Sequence, residues 1–121
     1  MKPILAAAML AATANLATAQ ESDDTRFRQI AECTAFFSVS SGMDGNSQVA
    51  PEAAAIISAL ASELMFEASI LGYDDDRAHT AVVERLMDQN ALVNERGTEA
   101  LAASHGSMCA ALAKTVQPVR P

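Results

Sequence analysis

The chain is 121 residues long and half hydrophobic, with 15 Asp and Glu against 8 Lys and Arg and a formal net charge of −7. That charge repels phosphate backbones and anionic lipid head groups, and no Trp, one Tyr and four Phe leave few platforms for stacking bases. Nucleic-acid and membrane-surface binding are therefore excluded from the expected functions, and the length suits one small domain whose limited core gains from a covalent staple.

Residues 1–19 read as a signal peptide. Lys2 gives a positive start, Ile4 to Leu16 is an uncharged Ala-rich apolar run, and Ala17-Thr18-Ala19 is a small-x-small cleavage site. The run is shorter than the ~20 residues a spanning helix needs, and no later run is expected to span either. No Cys follows it to accept a lipid. Removal leaves residues 20–121 as a single helical domain of 102 residues with a net charge of −8, because Lys2 leaves with the leader. The expected location is the periplasm or the medium.

The first helix is expected from about Thr25, capped by Asp23 or Asp24, with Phe27, Ile30, Ala31, Thr34 and Phe37 as its apolar stripe. Phe36 and Val39 fall off that stripe, where they either pack under the next loop or join an exposed apolar patch. The helix is expected to fade over Ser38–Gly42, where hydroxyls compete for backbone hydrogen bonds. The loop from Gly42 to Val49 carries the turn signal Asp44-Gly45-Asn46 and lacks the ligand spacing of a calcium-binding hand.

Pro51 and Glu52 suit the start of a second helix. Its stripe runs Ala53, Ile57, Leu60, Ala61, Leu64, Ala68 and Leu71, widened by Ile56, Phe66 and Ile70, and it is expected to be the most buried helix. Gly72 stops it, and Asp74-Asp75-Asp76 offers caps for a third, with the stripe His79, Val82, Val83, Leu86, Asn90 and Val93. Asn94–Gly97 ends that helix or bends it into the next. Thr98 opens a fourth, with Leu101, His105, Met108, Leu112 and Val116 inward, and Gly106 marks a possible close approach of another helix. The fold class expected is all-α, a small antiparallel bundle of three to four helices.

Cys33 and Cys109 are the two cysteines, and an exported chain without a C-x-x-C spacing pairs them most simply as one disulfide. The ring so closed restricts the unfolded chain by about 4 kcal/mol in the chain-entropy picture.

Candidate chemistry is sparse. His79 and His105, the only histidines, lie on apolar stripes and are weak metal candidates; Asp75 with His79, and His105 with Cys109, stand at i, i+4. His105 with Met65 or Met87 is a conceivable non-covalent haem pair. Ser104 and His105 are adjacent and point about 100° apart on a helix, so they form no dyad. No nucleophile elbow, phosphate loop or H-E-x-x-H is present, and neither an enzyme nor a cofactor is expected.

The sequence therefore points to a small exported bundle that binds a protein partner, itself included, or a small apolar ligand, through a patch drawn from Phe36, Val39, Phe66 and Ile70. Two alternatives are a periplasmic metal or haem carrier using the two histidines, and an acid-stress holdase loosened when its carboxylates are protonated.

Overall fold

A computed structural model describes residues 24–42 and 51–116, nearly all of them helical. Among the described residues there are four helices and no strand: α1 over residues 24–40, α2 Pro51–Leu71, α3 Asp75–Arg96 and α4 Thr98–Val116. The expected signal peptide over residues 1–19, the expected Asp23 cap, the expected turn at Asp44-Gly45-Asn46 and the C-terminal residues 117–121 lie outside them.

The architecture follows from α1. Between Ile30 and Phe36 every residue except Glu32 is buried. A helix that is apolar on all sides belongs at the centre, with its neighbours around it. Arg26 reaches Glu63 and Glu67 of α2, Glu32 reaches Arg85 of α3, and Cys33 is bonded to Cys109 of α4. Along α1, Asp24 meets Tyr73 just past α2, Arg26 meets Glu67, and Thr34 shares a groove with Ala61, so α2 is antiparallel to it. Asp24 lies by Arg77, Glu32 by Gln89 and Ser38 by Val93, so α3 is parallel. Cys33 meets Cys109 while Phe36 meets His105, so α4 is antiparallel. The chain thus runs up, down, up, down, as expected of a bundle.

The core gathers Phe27, Ile30 and Phe36 of α1, Leu60 and Leu64 of α2, and Leu101 of α4, filled in by alanines from every helix. Burial of each large apolar side chain contributes about 1.5–3 kcal/mol. The alanines Ala31, Ala68, Ala78 and Ala81 let the backbones approach closely.

The turns obey local chemistry. Gly72, at φ +77°, follows α2; its N–H donates to the carbonyl of Ser69, and that of Tyr73 donates to Ala68. This double closure is the Schellman arrangement, which needs a residue tolerant of positive φ. Asp74 caps α3, its Oδ1 accepting from the Arg77 N–H at 2.8 Å. Gly97, at φ +89°, separates α3 from α4, so the two are distinct helices and not one bent rod.

Several expectations need correcting. α1 does end in the expected stretch, at Ser40 with Gly42 at φ +76°, but the hydroxyls do not cause it: those of Thr34 and Ser38 donate back to the carbonyls of Ile30 and Thr34, at 2.7 and 2.9 Å, without breaking the helix. Asp24 is already helical, and its carboxylate serves Tyr73 and Arg28. The most buried helix is α1, not α2, of which only Leu60, Leu64 and Ala68 are fully inside. On α3 the inner face is rotated: Ala78, Ala81 and Gln89 are buried, while His79, Val83 and Asn90 are exposed. On α4, Cys109 and Ala113 are buried where Met108 was expected. A Cβ at Gly106 would meet only Ala102 of its own helix, at 4.0 Å, so no neighbouring helix comes close there.

Candidate functional site

Cys33 and Cys109 form the expected disulfide, with Cα atoms 5.2 Å apart and both residues 0% exposed. It ties the central helix to the last one and suits an oxidising compartment. Its burial makes it a structural bond, shielded from attacking thiolates.

Beside it lies a polar seam. Glu32, the one residue of 30–36 not buried, places Oε1 3.0 Å from His105 Nε2 and Oε2 3.1 Å from Arg85 Nε. The Arg85 contact is an ion pair without an aligned hydrogen bond, and Arg85 also donates from a terminal nitrogen to the carbonyl of Ala81 at 2.9 Å. Gln89, 2% exposed, donates Nε2 to the Glu32 carbonyl at 3.0 Å, leaving its buried Oε1 without a protein partner. These residues join α1, α3 and α4; periodicity singled out His105 but missed Glu32, Arg85 and Gln89, because a stripe chosen by hydropathy steps around Glu, Arg and Gln.

A second cluster closes the other end. Tyr73 packs edge-on against Phe27 at 5.0 Å between ring centroids, carries the Arg77 guanidinium 3.6 Å above its ring, and donates its hydroxyl to Asp24 at 2.8 Å. That hydrogen bond holds the phenol above its ordinary pKa.

The two histidines do not meet as a pair. His105 is engaged by Glu32 and stacks edge-on near Phe36, whereas the exposed His79 lines an open groove of about 370 Å³ with Asp75 and Met65, between α2 and α3. Met65 is therefore beside His79 and not His105, and Met87 is 68% exposed on the outside of α3. Among the described residues no three His, Cys, Asp or Glu side chains are grouped to hold a metal ion.

Of the four residues expected to form an apolar patch, the structure separates two from two. Phe36 is buried against Phe37 and His105, and Val39 is packed against the core. Phe66 and Ile70 are 59% and 62% exposed on the outer face of α2. Ala55, Ser58, Ala59 and Ser62 continue the same face at helical spacing, lining with Glu63, Phe66 and Val116 an open groove of about 600 Å³ between α2 and α4.

That face carries little charge. From Ala53 to Leu71 the only ionisable residues are Glu63 and Glu67, and Arg26 pairs with both, at 3.2 and 2.9 Å, pulling them toward α1. The two carboxylates raise the Arg26 pKa further. Contrary to the expectation that no later run could span, α2 is long and apolar enough to cross a membrane by length and composition alone. Here its inner face packs in the bundle core instead, through Leu60, Leu64 and Ala68.

No family model, no curated protein and no solved structure matches the chain.

Proposed function

We propose that this protein is a small, exported, non-catalytic binding module whose working surface is the outer face of α2. The observation that carries this reading is the exposure of Phe66 and Ile70, one turn apart, on a helix face with no free charge in an otherwise acidic chain. Large apolar side chains standing together in water mark a surface that another surface covers. The grooves on either side of α2 are open to solvent, which suits the relief of a protein surface better than enclosure of a small apolar molecule.

In this reading residues 1–19 are a signal peptide, and the protein works in the periplasm or the medium, where oxidising conditions maintain the Cys33–Cys109 bond. The partner is a protein, with no role for nucleic acid or a lipid bilayer.

Cross-linking in periplasmic extract tests it. The protein is expected to capture a discrete species, and Phe66→Ser to lose it. A protein that captures nothing, forms no complex with itself and binds no apolar dye would overturn the reading.

A further inference from the structure

The groove between α2 and α3 reaches down to the central helix. Thr34 of α1 lines it together with Leu64 and Ala78, and all three are buried, so the floor of the groove is the bundle core itself. Its volume of about 370 Å³ is enough to seat an apolar group from outside.

One end of the groove is charged and the rest is not. Asp75 and His79 stand one turn apart at that end, and Ala61, Met65 and Val82 complete the walls. Among the described residues no cation pairs with Asp75. Arg77, the nearest Arg or Lys along the chain, lies over the Tyr73 ring and lines a different groove, between α1 and α3, with Asp24 and Arg28.

We infer that this groove takes a basic amphipathic segment of a protein partner, with an apolar side chain seated over Leu64 and Ala78 and a Lys or Arg at Asp75. Residues 75 and 82, at its two ends, are about 10 Å apart along α3 at 1.5 Å per residue, so the partner's cation and apolar anchor stand one to two helical turns apart. The inference rests on the reading of α2 as a binding surface and names the chemistry of the partner. Met65, in the groove wall, is next along α2 to Phe66 on the outer face.

Charge selects this occupant over the others. A chain with 15 acidic against 8 basic residues attracts a basic surface from a distance, and contact at Asp75 then fixes its register. An acidic segment would set a like charge against Asp75. A wholly apolar one would strip water from the carboxylate and return no partner to it.

Isothermal titration calorimetry of the purified protein with two synthetic amphipathic helices is the test, one built of Leu and Lys and the other with every Lys replaced by Glu. The Leu–Lys helix is expected to bind one-to-one, more weakly as salt rises, and the Leu–Glu helix not to bind. Asp75→Asn is expected to weaken binding about fivefold, the upper end for a partly solvated ion pair. Ala61→Phe, which fills the groove from an exposed position, is expected to abolish it, with thermal unfolding unchanged in both variants. Glu95→Gln removes the same charge near the far end of α3 and is expected to leave affinity within about twofold, because remote exposed charges are screened.

Binding of the Leu–Glu helix, or binding indifferent to Asp75→Asn or to Ala61→Phe, would overturn the inference. A loss with Glu95→Gln equal to that with Asp75→Asn would show general attraction to an acidic chain and would overturn it as well. Failure to bind the Leu–Lys helix would also overturn it; capture of an exported protein through Phe66 then leaves the broader reading of α2 standing, and capture of nothing removes both.

Discussion

The Glu32 carboxylate of α1 lies 3.0 Å from Nε2 of His105 on α4, and both residues sit within one helical turn of the Cys33–Cys109 bridge. The covalent link and the polar link therefore brace the same crossing of helices. Arg85 of α3, on the other oxygen of Glu32, extends the brace to a third helix.

Glu32→Ala removes the acceptor from both partners and leaves a half-buried guanidinium without its counter-charge. The expected loss of stability is about 1–2 kcal/mol, below the 3–5 kcal/mol of a fully buried pair because the side chain is still partly solvated. Urea unfolding of Glu32→Ala, Arg85→Ala and the double variant checks it. The double variant should be more stable than the sum of the single losses implies, since the two residues share one interaction.

Replacing Cys33 and Cys109 together by Ala frees the ends of a loop with a sequence separation of 76. The expected cost is about 2–4 kcal/mol, mainly from the less restricted unfolded chain. The folded protein should keep its helical circular dichroism at low temperature and melt well below the wild type. A melting point unchanged by the double substitution would count against the bridge as the main staple.

Tyr73 is the only tyrosine, so its ionisation can be followed alone by absorbance near 295 nm. Its phenol is held above its ordinary pKa by the hydrogen bond to Asp24. Folding favours the neutral form, so the stability from this contact is present below pH ~10 and is lost as pH rises through the elevated folded value. Asp24→Asn removes the carboxylate, and the phenolate should then appear at lower pH than in the wild type.

Gly106 occupies an interior position of α4 with open space where a Cβ would point. Gly106→Ala should therefore stabilise the protein by about 1 kcal/mol, through helix propensity and a less flexible unfolded chain. A destabilised variant would show that the position is more crowded than a 4.0 Å contact to Ala102 implies.

How far the sequence reveals this molecule depends on what carried the signal. The ends at Pro51, Gly72 and Asp74 were legible because these residues act through local chemistry that needs no tertiary partner, whereas the break at Gly97 was left open between an end and a bend. The disulfide was legible because two cysteines allow one pairing. Helix faces were less so. In α3, Ala78 and Ala81 face inward because small residues permit close packing, and Arg85 and Gln89 do so because Glu32 offers one a counter-charge and the other a carbonyl acceptor, neither of which hydropathy registers. In α2, Phe66 and Ile70 both widen the apolar stripe and belong to the expected contact patch, and hydropathy does not choose between the two because a helix apolar on most sides can leave one side uncovered. The candidate site was half legible for that reason, with Phe66 and Ile70 on it and Phe36 and Val39 packed elsewhere in the bundle, by His105 and by α3.

The central claim is that the outer face of α2 is covered when the protein works. Hydroxyl-radical footprinting measures this directly, by comparing oxidation of Met65, Phe66 and Ile70 in intact expressing cells with that in dilute purified protein. The account predicts strong oxidation at these residues in dilute solution and protection in the cell, with Met87 on the outside of α3 oxidised in both. Equal oxidation of the α2 face in both settings would contradict it.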